Sequence, residues 1–257
     1  MLHGLEADSS SAYVKGLIKA FCQNGYDGVA MNFRSCSGEP NRLLKSYHSG
    51  VSEDLAFILN HVIHTNKYQE IFIAGYSLGG NVLLKYLGEK GSEVPPSVKK
   101  AMAISVPCDL SGACEVLSHG FRRWVYTRRF LGFLKEKVRA KAHMLEDYPH
   151  PVNMRLLEDF DDAYTAPIHG FTSAQDYYRR CSSKEFVAEI RVPTLLLNAQ
   201  DDPFFSPGCF PVEAAKNSPF LHLETPRYGG HVGFYQRGLY YHEERALTFT
   251  QNNGTSR

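Results

Sequence analysis

Apolar residues recur along this chain in two alternating rhythms. Val14, Leu17, Ile18 and Phe21 fall at i, i+3, i+4 and i+7 behind Ser9 to Ser11, a spacing that predicts a helix closed at Gly25. Gly28 to Phe33 is a short, mostly apolar run between turn residues and reads as a buried strand. After a polar loop from Arg34 to Asn41, the helical period returns at Val51, Leu55, Ile58, Leu59 and Val62. Ile71 to Gly75 is the next strand, Asn81 to Tyr86 starts a helix after a glycine pair, and Ala101 to Val106 is a further strand. Alternating strands and helices predict an α/β fold, a mostly parallel sheet with helices on both faces.

From about Phe121 to Phe186 the alternation stops and charged and aromatic residues take over. This stretch predicts a helical lid inserted over about residues 110–190. Strand character resumes at Val192 to Leu197, followed by a loop at Asp201-Asp202-Pro203, a short helix near Val212 to Ala215 and a strand around Phe220 to Leu223. A glycine turn at Gly229-Gly230 leads to a final helix near Tyr240 to Phe249. The expectation is one domain over residues 1–257 carrying one insertion.

With 257 residues, 43% of them hydrophobic, the chain can bury a sizeable core. Its 28 Lys+Arg against 27 Asp+Glu leave a net charge of +1, too little to steer a nucleic-acid backbone, so no nucleic-acid partner is expected. The cysteines Cys22, Cys36, Cys108, Cys114, Cys181 and Cys209 are scattered without a CxxC pair, as reduced thiols in a cytoplasmic setting would be. Neither a secretory leader nor an apolar run of about 18 residues is visible, so no membrane span is expected.

Candidate chemistry begins at Gly75-Tyr76-Ser77-Leu78-Gly79, a Gly-x-Ser-x-Gly between a predicted strand and a predicted helix. A sharp strand-to-helix turn there projects Ser77 as a nucleophile, and the N–H of Leu78 at the helix start faces an incoming oxyanion. A serine hydroxyl needs a base oriented by a third group, and in this arrangement the acid and the histidine follow the serine in sequence. Asp202 and His231 sit at loops on the expected carboxyl edge of the sheet, with Asp201 the rival for the acid. At the front, His3-Gly4-Leu5 would follow a strand, where the N–H of Leu5 provides the second oxyanion donor. His3 and Asp8 also spell H-x-x-x-x-D, a pattern linked to acyl transfer, read here as a chance overlap with the oxyanion loop.

Further segments match one family in order: Leu2 to Glu6, Asn32 to Arg42, Ser46 to Gly50, Gly75 to Asn81, Glu158 to Asp162, Thr165 to Phe171, Asp176 to Tyr178 and Gly229 to Phe234. On these residues the chain resembles the YheT-type α/β-hydrolases, bacterial relatives of the EMB8 and ABHD1/2/3 group, over nearly its whole length. The resemblance implies a carboxylesterase or lipase-like hydrolase acting on a small-molecule ester of short- to medium-chain or lipid-like acyl groups. Ser77 would be nucleophile, Asp202 acid and His231 base, with no metal and no organic cofactor. Two alternatives stand beside hydrolysis: acyl transfer to an alcohol through the same triad, and an inactive fragment. The latter arises because family members carry several dozen further residues at the front, including the first strands; on that expectation the 257 residues alone are poorly stable.

Arg122, Arg123, Arg128, Arg129, Lys135, Lys137, Arg139 and Lys141 form a basic stretch in which Trp124, Leu131, Leu134, Val138 and Ala142 share one helical face. The expectation is a lid helix packing that face over the site with its cationic heads in water; peripheral membrane contact through the lid is the alternative. Glu158, Asp159, Asp161 and Asp162 lack metal-loop spacing and read as a solvated or ion-paired face. His61 and His64 lack an acidic ligand motif. His48 and His169 acquire no role from sequence. Cys36, near Arg34, carries no reactive-thiol signature.

Overall fold

The computed structural model describes residues 1–66, 68–145, 148, 153–236 and 239–251. Four of the apolar runs form one parallel sheet, in which β1 (Ile71–Tyr76), β2 (Val98–Ile104), β3 (Thr194–Leu197) and β4 (Leu221–Glu224) are neighbours in that order. Beside β1, Leu2 forms parallel bridges to Gly75 and to Met31, through Leu2 N–H to Ala74 O (2.9 Å), Tyr76 N–H to Leu2 O (3.0 Å) and Met31 N–H to Met1 O (3.1 Å). The strand expected over Gly28 to Phe33 is reduced to this one bridge, and Val29 is 43% exposed. Its sheet neighbour among the described residues is only the short Met1-Leu2 stretch, too little for a ladder to propagate.

In chain order the helices are α1 (Ala12–Cys22), α2 (Ser52–Asn66), α3 (Leu78–Lys90), α4 (Leu110–Leu117), α5 (Gly120–Arg122), α6 (Arg128–Ala140), α7 (Leu157–Phe160), α8 (Ala166–His169), α9 (Ala174–Cys181), α10 (Val212–Asn217) and α11 (Tyr241–Gln251). A short antiparallel pair, β5 (Tyr235–Gln236) with β6 (Leu239–Tyr240), precedes α11. Between β2 and β3 the described residues contain helices, turns and bends but no strand.

Side chains alternate across the sheet with the period of two that a strand imposes. Ile73, Ala101, Ala103 and Leu196 pack on one face with Leu55 and Leu59 of α2 and Val82, Leu83 and Leu87 of α3. Ala74, Tyr76, Met102, Ile104, Leu195 and Leu197 pack on the other with Leu17 and Phe21 of α1 and Ala246 of α11. Both faces are therefore dry, which is why these strands read as continuous apolar runs.

The basic stretch departs from its expected packing. Residues 123–127 form a π-helical turn joining α5 to α6, and its extra residue shifts the phase of the helix. Leu131 is consequently buried while Trp124, expected on the same inner face, stands 67% exposed. Three of the cationic heads turn to protein acceptors rather than to water: Lys135 Nζ donates to the Met154 carbonyl (2.7 Å), Lys137 Nζ to Glu6 Oε1 (2.9 Å) and Cys36 Sγ (3.0 Å), and Lys141 Nζ to the Leu43 carbonyl (2.8 Å) and Asn41 Oδ1. Among the described residues no helix is long and apolar enough to cross a membrane.

Candidate active site

The end of β1 must turn into α3 within one residue, and Ser77 is that residue. Its backbone sits at φ 50°, ψ −119°, a region that side-chain-bearing residues rarely occupy and that holds only when the surroundings over-determine it. Ser77 N–H donates to Ile104 O (2.8 Å). The flanking glycines are demanded by contact. A Cβ on Gly75 would lie 2.5 Å from the Gly79 carbonyl oxygen, and one on Gly79 would lie 2.4 Å from the His3 carbonyl oxygen. Neither obstacle is a movable side chain, so the helix start can approach the two strands only through glycine.

Ser77, His231 and Asp202, far apart in sequence, meet here. The Ser77 hydroxyl lies 3.0 Å from His231 Nε2, and His231 Nδ1–H donates to Asp202 Oδ2 at 2.8 Å. The Asp202 carboxylate is closed to solvent, and its second oxygen accepts the Phe204 N–H (2.9 Å). The imidazole stacks on the Phe204 ring, centroids 3.9 Å apart at 21°, which fixes the ring plane. Asp201, the rival acid, points elsewhere: its Oδ1 accepts the Gly230 N–H (2.8 Å) and shapes the turn that carries His231.

Two supporting residues escaped the sequence reading. Ser105, at φ 52° just after β2, accepts the Val232 N–H on its Oγ (2.9 Å) and so anchors the residue after His231. Asn198, just after β3, accepts from Val106 N–H (2.8 Å) and donates to the carbonyls of Val106 (3.0 Å) and Cys209 (2.9 Å). It ties the ends of β2 and β3 together beneath the acid loop. A polar residue directly after an apolar strand was the one available signal, and its partners lie 92 and 11 residues away.

His3 carries no charge-relay role but threads the loop in front of Ser77. Nδ1–H donates to Gly4 O (2.8 Å) and Nε2 accepts Phe33 N–H (3.1 Å), a pairing that needs the neutral ring; desolvation lowers its pKa and favours that form. Asp8 instead bonds the backbone and hydroxyl of Ser10, so the H-x-x-x-x-D pattern is not a working pair. Gly4 N–H donates to Tyr13 OH (3.0 Å). Among the described residues, the N–H groups of Leu5 and Leu78 have no recorded acceptor. Next to Leu5, Glu6 (φ 54°) receives the Tyr47 hydroxyl (2.6 Å) and Lys137 of α6, while its own N–H donates to Tyr47 OH (2.9 Å).

Ser77 opens into a cavity of about 170 Å³ lined mainly by apolar side chains, among them Leu117, Phe130, Leu134, Val138, Leu145 and Phe160. Polar groups also reach it. Asp161, expected on a solvated face, is held by Thr165 Oγ1 (2.6 Å) and the Tyr178 hydroxyl (2.7 Å), and burial pushes its carboxyl up to about 6. His48 and His169 stand ring to ring (4.5 Å), with burial lowering them to about 3 and about 4. Burial also pushes the Cys36 thiol up, against the pull of Lys137. No group of three His, Cys, Asp or Glu side chains placed to hold a metal occurs among the described residues.

Residues 1–237 match the family described as alpha/beta hydrolase fold. YheT of Escherichia coli strain K12, whose name classes it as an esterase, is 38% identical over 242 residues, 91% of this chain and 69% of that protein. The human phospholipase ABHD3 is 30% identical over 91% of this chain and 58% of its own length. A monoacylglycerol lipase of Saccharomyces cerevisiae is 27% identical over 92% and 54%. The chain thus spans between about half and about seven tenths of these relatives. Among solved structures, the Pyrococcus furiosus esterase Pf2001 superposes with a TM-score of 0.61 over 97% of this chain and 80% of its own, at 16% identity, a likeness of fold. The protein accordingly belongs to the α/β-hydrolase fold family, in its YheT-type branch.

Proposed function

We propose that the protein hydrolyses carboxylic esters of short- to medium-chain acyl groups through an acyl-enzyme on Ser77. The observation that carries this reading is the continuous contact from Asp202 through His231 to Ser77, at 2.8 and 3.0 Å, on a strained turn that opens into an apolar cavity. In this mechanism His231 Nε2 takes the hydroxyl proton as Ser77 Oγ bonds to the ester carbonyl carbon. The N–H groups of Leu5 and Leu78 hold the oxyanion, and Asp202 orients the imidazole and balances its charge. His231 returns the proton to the departing alcohol, and water then releases the acid by the reverse sequence. No step calls on a metal or organic cofactor.

Residues of about 110–190 act as the lid and supply most of the acyl cavity. Its volume of about 170 Å³, near the ~150 Å³ that accommodates a benzene ring, and its apolar lining suit a short- to medium-chain acyl group. The esterase, phospholipase and monoacylglycerol lipase names of its relatives agree with an ester substrate. The test is a panel of p-nitrophenyl esters of increasing chain length, with products analysed in the presence and absence of glycerol. The expected result is a kcat/KM maximum at short to medium chains with free acid as product. Acyl-glycerol as the main product would assign acyl transfer instead, and no turnover of any ester by folded protein would overturn the reading.

A further inference from the structure

The rod formed by α5, the π turn and α6 meets different chemistry on its two sides. Inward, Phe130, Leu134 and Val138 wall the cavity above Ser77, and Thr127 Oγ1 donates to the Leu117 carbonyl (2.6 Å). Outward, Phe121, Trp124 and Phe133 are 74%, 67% and 40% exposed. The same rod carries Arg122, Arg123, Arg128, Arg129 and Arg139, all exposed, and Arg128 and Arg129 share one shallow surface groove with Trp124 and Phe133. The one carboxylate in the rod is Glu136, and none of these five arginines makes an ion pair among the described residues. Arg129 lies over the Phe133 ring at 5.8 Å, so cation and ring form one surface.

The whole chain carries a net charge of only +1. Five arginines against one glutamate therefore leave the rest of the molecule net negative, and this charge separation turns the rod towards an anionic surface. Exposed aromatic rings interleaved with guanidinium groups suit the boundary between headgroups and acyl chains, where rings sit below and cations reach phosphates. An acidic protein or a nucleic acid would match the charges but leave the inner face unexplained. A lipid surface accounts for both faces, because the same helix that meets it walls the acyl cavity; this last step rests on the ester reading above.

We propose that the outer face of this rod docks on anionic phospholipid bilayers, Phe121 and Trp124 entering the headgroup boundary while the arginines pair with lipid phosphates. Such docking is peripheral.

Trp124 is the only tryptophan in the chain, so its emission reports this face directly. The protein is titrated with phosphatidylcholine vesicles made with and without phosphatidylglycerol, and fluorescence is read together with co-sedimentation. The expected result is a blue shift and sedimentation with phosphatidylglycerol present, both diminished by high salt. R128Q/R129Q should lower partitioning by roughly tenfold or more while its melting curve and its turnover of a water-soluble short-chain ester stay unchanged. No blue shift with anionic vesicles, an equal shift with phosphatidylcholine alone, or undiminished binding by R128Q/R129Q would overturn the proposal. An equal shift with polyglutamate or a DNA oligonucleotide would also overturn it, assigning the patch to polyanions in general. Vesicle binding requires no turnover, so docking by a protein that cleaves no ester would support this proposal and refute the hydrolase reading alone.

Discussion

Replacing Asp202 with asparagine keeps the shape of the acid loop and removes its chemistry. The Asp202 carboxylate is closed to solvent, one oxygen accepting Phe204 N–H and the other His231 Nδ1–H. In Asp202→Asn the amide oxygen can still take the Phe204 N–H, which leaves the NH2 group facing Nδ1. Two donors cannot face each other, so the imidazole proton moves to Nε2 and the lone pair that would receive the Ser77 proton is lost. Loss of the wrong-tautomer kind costs about 10⁴ in kcat, or about 5 kcal/mol at 1.36 per decade. Asp201→Asn retains an oxygen able to accept the Gly230 N–H and should stay within about threefold of the parent. The assay is kcat and KM on p-nitrophenyl butyrate for both variants, with circular dichroism melts to establish equal folding. A folded D202N keeping more than about a tenth of the parent kcat, or a D201N that falls as far, would refute the assignment of the acid.

Two further outcomes follow from buried groups. Lys137→Met strands the Glu6 carboxylate, 4% exposed, beside Tyr47; it should cost about 1–3 kcal/mol of stability and lower kcat more than it changes KM, because Leu5 adjoins Glu6, with Lys137→Arg partly restoring both. A KM effect alone would contradict the coupling. His242 is 1% exposed, neither ring nitrogen has a partner, and burial lowers its pKa to about 4. Below the ordinary value of about 6.5 the unfolded chain binds a proton that the folded ring refuses, so stability present above that pH is lost as pH falls towards 4, by up to about 3 kcal/mol. His48 and His169 act in the same direction. Asp161, raised to about 6, acts oppositely: its contribution is full below about 3.8 and is lost as pH rises through about 6. Urea unfolding of His242→Phe across this range should show a shallower acid loss than the parent, and an unchanged slope would contradict the burial argument.

Much of this architecture was legible in the sequence where local pattern and burial agree. The four sheet strands read as short apolar runs because both faces of the sheet are covered, and Ser77 was legible because its turn requires glycines at fixed offsets. His231 and Asp202 were placed by chain order and loop position, and the structure brings both to Ser77. What was not legible depends on partners distant in sequence or on a change of helical period. Trp124 leaves the inner face because one π turn breaks the 3.6-residue rhythm. Lys137 and Lys141 turn inward because Glu6 and Asn41, more than 95 residues away, offer acceptors. Asp161 is half-buried because Tyr178 and Thr165 satisfy it, and nothing in its own acidic run says so. Ser105 and Asn198 likewise acquire meaning only once the ends of β2 and β3 and the His231 turn converge.

The proposed chemistry requires Ser77 to be a nucleophile activated by its neighbours in the folded chain. It is tested most directly by reacting the purified protein with a fluorophosphonate probe and measuring intact mass, beside Ser77→Ala and His231→Ala. A single adduct located on Ser77 is expected, absent from Ser77→Ala and strongly slowed in His231→Ala, with all three proteins giving the same melting curve. A folded protein that takes no label, or that takes it equally after Ser77→Ala, would contradict it.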